Sequence, residues 1–232
     1  MARRDRGRFI TIEGLDGCGK STQLGMLALA LGREGVYVTV TREPGGTPLG
    51  EEIRRVLLDS RTAGLSPWAE LALMFAVRTQ HVREFIEPSL ESGNWVLCDR
   101  FTDSSEAYQG GGRQLGTAPV LSLHATLCNG LMPDLTILMD SEIGKTVARA
   151  RRRNRIRFAS EEAPSEMDEN RFEQESRAFF GRVHNAYLEI ARREPERVQV
   201  VDARRPLDIV HGEILGLVRS RFLPQAVLNL AL

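Results

Sequence analysis

The segment from Gly14 to Ser21 reads Gly-Leu-Asp-Gly-Cys-Gly-Lys-Ser and matches the phosphate-loop pattern G-x-x-x-x-G-K-[ST]. Its glycines permit a tight turn that points successive backbone N–H groups at nucleotide phosphates. Lys20 can reach the β- and γ-phosphates, and the Ser21 hydroxyl can coordinate Mg²⁺. A strand-like run precedes the segment and a helical pattern begins at Lys20, which is the context this chemistry requires. The expected nucleotide-binding residues are Gly14, Leu15, Asp16, Gly17, Cys18, Gly19, Lys20, Ser21 and Thr22.

The phosphate loop alone does not distinguish a kinase from a GTPase or a motor protein. A guanine-specific GTPase would normally carry an Asn-Lys-x-Asp motif, and the sequence contains none. A motor or helicase would usually need a longer chain. We therefore predict an ATP-dependent phosphotransferase, and the loop leaves its acceptor open.

A second candidate segment, residues 42–47, follows the next strand-like run and reads Arg-Glu-Pro-Gly-Gly-Thr. Proline and glycine favour a sharp turn, so Arg42 would project from a rigid platform. An arginine fork suits a phosphate monoester. In isolation, a surface turn with an ion pair explains the segment equally well.

Further along, residues 104–113 combine polar side chains, Tyr108, Gln109 and three consecutive glycines. This composition is more typical of a pocket wall than of a core. Phe75 and Arg78 are three residues apart and share one face of a predicted helix. Phe75 taken alone is better explained as a core residue.

Apolar, β-rich runs alternate with helical patterns, which predicts an α/β fold of the P-loop NTPase type, with a parallel sheet and helices on both faces. The predicted strands are 9–12, 36–41, 95–98, 135–139 and 198–201. The predicted helices are 20–33, 49–58, 69–90, 142–153 and 172–193. Ligands bind at the carboxyl ends of the strands in such sheets. Glu13, Arg42, Asp99 and Asp140 fall at or just beyond such ends.

The composition is that of an ordinary globular protein. The chain has 232 residues, and its 31 basic and 31 acidic residues give no net charge. We expect one domain spanning 1–232, with no nucleic-acid partner because there is no basic field. No apolar stretch is long enough to cross a membrane, and the basic start is not followed by a signal-peptide pattern. Three cysteines without metal-ligand spacing fit a reduced, cytoplasmic protein.

Six arginines lie between Arg149 and Arg157, and an acidic, proline-containing stretch follows them. This region shows no strand pattern and no sustained apolar period. We predict that it forms a mobile loop within the domain, and that residues 223–232 form a short apolar tail.

Taken together, these segments resemble the thymidylate kinases, over roughly Phe9 to Phe222. The motifs that carry the resemblance occur in the family's order. They are Glu13-Gly14 with Gly19-Lys20-Ser21-Thr22, Arg42 to Thr47, Asp99-Arg100, Tyr108-Gln109-Gly110, Pro133 to Thr136, and Asn170 to Glu173 leading to Tyr187-Leu188.

The resemblance implies phosphorylation of dTMP with ATP and Mg²⁺, and it implies a homodimer. In it, Phe75 would stack on thymine, Arg78 would hydrogen-bond the base, and Tyr108 would lie against the deoxyribose. The implied substrate-binding residues are Glu13, Arg42, Phe75, Arg78, Arg100, Ser105, Tyr108 and Gln109. The implied catalytic residues are Lys20, Arg153, Arg149 and Asp99, with Ser21 and Asp99 at the metal.

Some family members carry an arginine at the position of Gly17, and those without it supply the charge from a lid. We therefore expect a lid at about 149–171, with Arg153 as the main catalytic arginine and Arg149 and Arg171 assisting. Two alternatives remain open, namely a kinase for another nucleotide or nucleoside and a non-catalytic ATP-binding sensor.

Overall fold

Five parallel strands form one sheet in a computed structural model, which describes residues 6–160 and 170–223 and, within them, all side chains except those of 153–160. The spatial order of the strands is β2-β3-β1-β4-β5. Their bounds are β1 Phe9–Glu13, β2 Val38–Arg42, β3 Trp95–Asp99, β4 Leu135–Asp140 and β5 Val198–Asp202.

Helices connect the strands. They are α1 Lys20–Arg33, α2 Pro48–Leu58, α3 Pro67–His81, α4 Glu87–Glu91, α5 Thr102–Ser105, α6 Thr117–Leu127, α7 Ile143–Ser160, α8 Arg177–Arg193 and α9 Leu207–Phe222. Wider π-helical turns join α3 to α4 at Val82–Ile86 and extend α5 at Glu106–Gly112, and a 3₁₀ turn follows α2 at Ser60–Thr62.

Successive strand residues pack into different apolar clusters on the two faces of the sheet. Ile10 and Ile12 of β1 pack with Leu27 of α1 and Ile214 of α9, whereas Phe9 packs with Leu71 of α3. Because side chains alternate between the faces of a strand, this division requires helices on both faces. The predicted fold class is confirmed.

The register of the strands gathers polar residues at one edge. Ile12 lies opposite Asp99, and Arg42 lies opposite Asp99 on the other side. Because the strands are parallel, all their carboxyl ends meet at this edge, where the turns after β1, β2 and β3 form the site.

The arginine-rich segment was predicted wrongly as a loop. Residues 149–157 belong to α7, which continues to Ser160. The helix is compatible with the sequence because arginine is a good helix former and no glycine or proline interrupts residues 145–160. The acidic stretch 161–169 and the tail 224–232 lie outside the described residues.

Other differences are smaller. Helices α6 and α9 have no counterpart in the prediction, and β2 begins at Val38 rather than at residue 36. Within the described part of the chain, no helix has both the length and the apolar character of a membrane span.

Candidate active site

The phosphate loop connects β1 to α1 and places Lys20 at the first position of the helix. Lys20 is almost fully buried, and its Nζ donates to the carbonyl oxygens of Gly14 at 3.2 Å and Leu15 at 3.0 Å. Nζ also lies 3.7 Å from the carboxylate of Asp16. The lysine therefore rests on its own loop, at the end of a helix whose dipole favours an anion.

Ser21 and Asp99 come together at the carboxyl ends of β1 and β3. The Ser21 hydroxyl donates to Asp99 Oδ2 at 2.7 Å. Both side chains line a cavity of about 370 Å³ that begins at the phosphate loop. The hydroxyl and carboxylate predicted as metal ligands are therefore adjacent in space.

Most of the predicted site residues line this cavity. They are Asp16, Gly17, Gly19, Lys20, Ser21, Thr22, Arg42, Arg78, Asp99, Arg100, Ser105, Tyr108 and Gln109. Gly14, Leu15 and Cys18 belong to the loop but do not line the cavity, and Cys18 is buried behind it.

Arg78 crosses from α3 to the cavity wall with only 2% of its surface exposed. Its Nε donates to Glu43 at 2.7 Å, and its Nη2 donates to the Phe101 carbonyl at 3.1 Å and to Ser105 at 2.9 Å. Although burial alone would raise it, Arg78 and His81 hold the pKa of Glu43 below its usual value. The guanidinium is therefore fixed in position beside Glu43.

One donor of this guanidinium, Nη1 of Arg78, has no partner within the described residues. A buried donor without an acceptor is costly, by about 1–3 kcal/mol. Since Arg78 lines the cavity, a ligand oxygen is the acceptor that this position suits.

Phe75 does not line the cavity, and the expectation that it stacks on a base is wrong. It is 0% exposed and packs in the core with Leu71 and Val82, while the Arg78 guanidinium lies 4.8 Å above its ring. Met74 lines the cavity instead. Adjacent helical residues point about 100° apart, so Met74 can face the cavity while its neighbour Phe75 faces the core.

Arg100 forms the wall nearest the phosphate loop and adopts a left-handed conformation with φ of 75°. It donates to Asp16 at 2.8 Å, Ser104 at 2.9 Å, Tyr187 at 3.1 Å and Tyr108 at 3.2 Å. Burial disfavours its charge, but the carboxylate of Asp16 raises the pKa of Arg100 well above its ordinary value.

Tyr108 and Gln109 lie in the π-helical turn that extends α5. Burial raises the pKa of Tyr108, so its hydroxyl stays protonated beside Arg100 and Asp16. Gln109 is almost fully buried, and its amide nitrogen donates to Glu70 at 2.8 Å. Both side chains border the cavity.

Glu13 lies one layer behind the cavity and does not line it, contrary to the substrate-binding expectation. It is 0% exposed and accepts hydrogen bonds from the Phe101 backbone at 2.7 Å, from Ser104, and from Tyr187 at 3.0 Å. Burial and the nearby Asp103 raise the pKa of Glu13 to about 7. Glu13 therefore supports the wall that carries Ser104.

Gly17 packs directly against α7. Its φ is +90°, and a Cβ at this position would lie 2.4 Å from the Thr146 carbonyl oxygen and 3.0 Å from the Ala150 nitrogen. From the same helix, Arg149 donates to the Gly17 carbonyl oxygen at 3.0 Å. The loop has a glycine here because the helix leaves no room for a side chain.

The expected lid arginines fall into three groups. Arg149 is exposed beside the phosphate loop, and the Arg153 side chain lies outside the described residues. Arg171 is buried, donates to Glu70 at 2.6 Å, and stacks 4.4 Å from the Phe172 ring. Arg171 therefore anchors its segment to α2 and α3 and makes protein contacts where a phosphate or adenine contact had been expected.

Sequence reasoning missed several residues of the cavity wall. These are Glu43, Pro44, Arg54, Leu58, Met74, Phe101, Phe172 and Glu173. Four of them could have been found because they lie within motifs that carry the family resemblance, namely Glu43, Pro44, Phe172 and Glu173. Leu58 and Met74 carried no such signal.

Comparisons with known proteins agree with this geometry. The family model described as thymidylate kinase matches residues 12–214. The chain is 48% identical to the thymidylate kinase of Alkalilimnicola ehrlichii over 205 residues, covering 88% of this chain and 89% of the relative. It is 46% identical to that of Bordetella pertussis over 215 residues, covering 93% and 96%.

The crystal structure of thymidylate kinase from Ehrlichia chaffeensis superposes with a TM-score of 0.71 at 31% identity. The match covers 92% of this chain and 99% of that one. With a phosphate loop, an arginine-lined cavity beside it and relatives along almost its whole length, the chain belongs to the thymidylate kinase family.

Proposed function

We propose that the cavity is where dTMP and the phosphates of ATP meet. The chain phosphorylates dTMP to dTDP with ATP as the phosphate donor, which is a step in dTTP synthesis. The observation that carries the placement is that one continuous cavity joins Lys20 and Ser21 to Arg78 and Gln109.

On the donor side, the backbone N–H groups of residues 14–21 would receive the phosphates of ATP. Lys20 would exchange the carbonyl oxygens of Gly14 and Leu15 for phosphate oxygens. This exchange places a positive charge where negative charge develops during transfer, which is the main contribution a protein makes to phosphoryl transfer.

Ser21 and Asp99 would hold Mg²⁺. A hydroxyl and a carboxylate are the oxygen ligands that this ion prefers, and the contact of 2.7 Å between them supports a shared site. When bound, the ion would supply positive charge that neutralises the phosphates of ATP.

On the acceptor side, Arg42 and Arg100 would hold the dTMP phosphate, and Tyr108 would lie against the deoxyribose. The free Nη1 of Arg78 would donate to the O4 keto oxygen of thymine. Ser105, which accepts from Arg78, and Met74 would complete the pocket around the base. The acceptor oxygen is already anionic, so no general base is required.

Arg149 and Arg153 would neutralise the phosphoryl group from the lid. Arg149 is already placed at the phosphate loop by its bond to Gly17. Closure of the lid would also exclude water, which would otherwise compete as the acceptor.

A coupled assay of ADP release across dTMP, dUMP, UMP, CMP and dGMP tests this proposal, with the Lys20→Ala variant as the control. We expect the highest kcat/KM for dTMP. Preference for another nucleotide would overturn the placement of thymine beside Arg78. Turnover no higher than that of the control would instead indicate an ATP-binding sensor.

We also propose a cytoplasmic homodimer that binds no nucleic acid. Leu49 and Val56 on α2 and Trp68 on α3 are about half exposed, which supports an apolar surface on these two packed helices. The zero net charge supports the absence of a nucleic-acid partner. Analytical ultracentrifugation of the full chain tests the dimer, and a single monomeric species would contradict it.

A further inference from the structure

Beneath the base side of the cavity lies Glu70, a carboxylate on α3 with no exposed surface. Its Oε1 accepts from the amide nitrogen of Gln109 at 2.8 Å. Its Oε2 accepts from Arg171 at 2.6 Å and from Nε of Arg113 at 3.1 Å, and Nη2 of Arg113 lies 3.0 Å away. Oε1 therefore contacts Gln109 and, more weakly, Arg113 at 3.2 Å, whereas Oε2 contacts both arginines.

An ionised carboxylate can only accept hydrogen bonds, so Gln109 must turn its NH₂ group towards Glu70. The amide is planar, and its carbonyl oxygen then points the other way. Gln109 lines the cavity, and its carbonyl oxygen makes no hydrogen bond within the described residues. The cavity wall therefore presents an acceptor from Gln109 beside the donor Nη1 of Arg78.

We infer that Glu70 is a positioning residue that makes the cavity select a keto pyrimidine over an amino pyrimidine, an inference that rests on the proposed binding of dTMP. Thymine presents the O4 acceptor and the N3–H donor on one edge. These complement the donor of Arg78 and the acceptor of Gln109. With cytosine, the amino donor would face the donor of Arg78, and the N3 acceptor would face the acceptor of Gln109.

Arg113 and Arg171 prevent the carboxylate from turning. Nε of Arg113 lies 3.2 Å and 3.1 Å from the two oxygens, and Arg171 also donates from its backbone nitrogen to Leu58, a residue of the cavity wall. Oε2 accepts from both arginines, at 2.6 Å and 3.1 Å, whereas Oε1 accepts from one of them at 3.2 Å, so a neutral amide at position 70 would keep its carbonyl oxygen at the Oε2 position. Its NH₂ would face Gln109 and force that amide to flip.

The Glu70→Gln variant tests this inference, with kcat/KM measured for dTMP and for dCMP. A flipped Gln109 offers the base a donor in place of an acceptor. We expect the preference for dTMP over dCMP to fall by about tenfold or more, the discrimination that one mismatched hydrogen bond provides. The change should appear mainly in KM, and dTMP binding without ATP should weaken in parallel.

Three further variants separate positioning from structural support. Glu106→Gln alters another buried carboxylate, which pairs with Arg193 outside the cavity, and should leave the preference unchanged. Glu70→Asp keeps the charge for the arginines but shortens the side chain away from Gln109, so it should also lower the preference. It provides the test if Glu70→Gln does not fold. In a Gln109→Met background, Glu70→Gln should cause no further change in the preference.

The inference would be overturned if the ratio of kcat/KM for dTMP to that for dCMP were unchanged in both Glu70 variants. An equal effect of Glu106→Gln on this ratio would also overturn it. These results differ from failure of the proposed function. In that case the unmodified protein itself would not prefer dTMP.

Discussion

On the base side of the cavity, Arg78 is 2% exposed and donates to three groups of the protein, whereas on the phosphate side Arg42 is 56% exposed and pairs with one surface carboxylate. Among the residues that the structure describes, Lys20 bonds to carbonyls of its own loop and lies near Asp16, and Arg149 is exposed beside it. Rigid donors suit the recognition of a base, whose edge is fixed. Cations that accompany a moving phosphoryl group, such as Lys20 and Arg149, need contacts that phosphate can replace. Arg100, assigned to the acceptor phosphate, is the exception on this side, because it donates to four protein groups.

The largest effect that tests this contrast is expected from Lys20→Ala. Because the lysine charge is used chiefly in the transition state, kcat should fall on the order of 10³-fold, about 4 kcal/mol. The KM for dTMP and the thermal midpoint should change little. Steady-state kinetics and a melting curve measure both. A kcat close to that of the unmodified protein would contradict the role of Lys20.

Arg78→Met and Arg42→Met compare the two sides directly by stability. Removing Arg78 leaves Glu43 buried and without its main ion-pair partner, which should lower the free energy of unfolding by about 3–5 kcal/mol. Removing Arg42 breaks an exposed pair and should cost about 1 kcal/mol or less. Urea unfolding measures both, and similar losses would show that the two sides are not held differently.

The free energy of unfolding should depend on pH through Glu13, which lies behind the cavity wall. Its pKa is about 7 in the folded protein against an ordinary 4.5, so the folded state binds this proton more tightly than the unfolded chain does. The resulting stabilisation is complete below pH 4.5 and is lost as the pH rises to about 7. It amounts to about 3 kcal/mol, with Asp103 and Arg100 as the charged neighbours.

Unfolding of the unmodified protein and of Glu13→Gln between pH 5 and pH 8 measures this effect. The variant should gain stability relative to the unmodified protein as the pH rises. Parallel stability curves would indicate that the pKa of Glu13 is not raised.

On the phosphate side, the lid arginines should affect kcat much more than the KM for dTMP. We expect Arg153→Ala to lower kcat on the order of 10²-fold, with a smaller effect for Arg149→Ala. Arg152→Ala, at an exposed position of α7, is the matched control. An arginine at position 17 should not rescue the loss, because α7 occupies that space. If both lid variants stay within about twofold of the unmodified kcat, the lid arginines are not catalytic.

The parts of the site predicted most accurately are those in which local sequence determines local geometry. The phosphate loop needs glycines, a lysine and a helix start in fixed order, so its place between β1 and α1 could be predicted. Arg42 and Asp99 follow from the carboxyl ends of parallel strands, which must share one edge.

The errors arose where tertiary packing decides. Phe75 and Met74 are adjacent, and only the rotation of α3 against the core shows which of them faces the cavity. Arg171 lies in a recognised motif, but its role depends on Glu70, which is 101 residues away in sequence. In helix α7, among residues whose side chains the structure describes, the buried ones are Thr146, Val147 and Ala150 near its start, too few to give a sustained apolar period.

Titration of dTMP into the ATP-free protein tests the division between the two sides most directly. We predict that Lys20→Ala binds dTMP within about twofold of the unmodified protein, because Lys20 serves the donor phosphates. Arg78→Met, measured where it remains folded, should bind on the order of 10²-fold more weakly, because it loses a charged hydrogen bond to the base. Equal loss of dTMP binding in both variants would contradict the account.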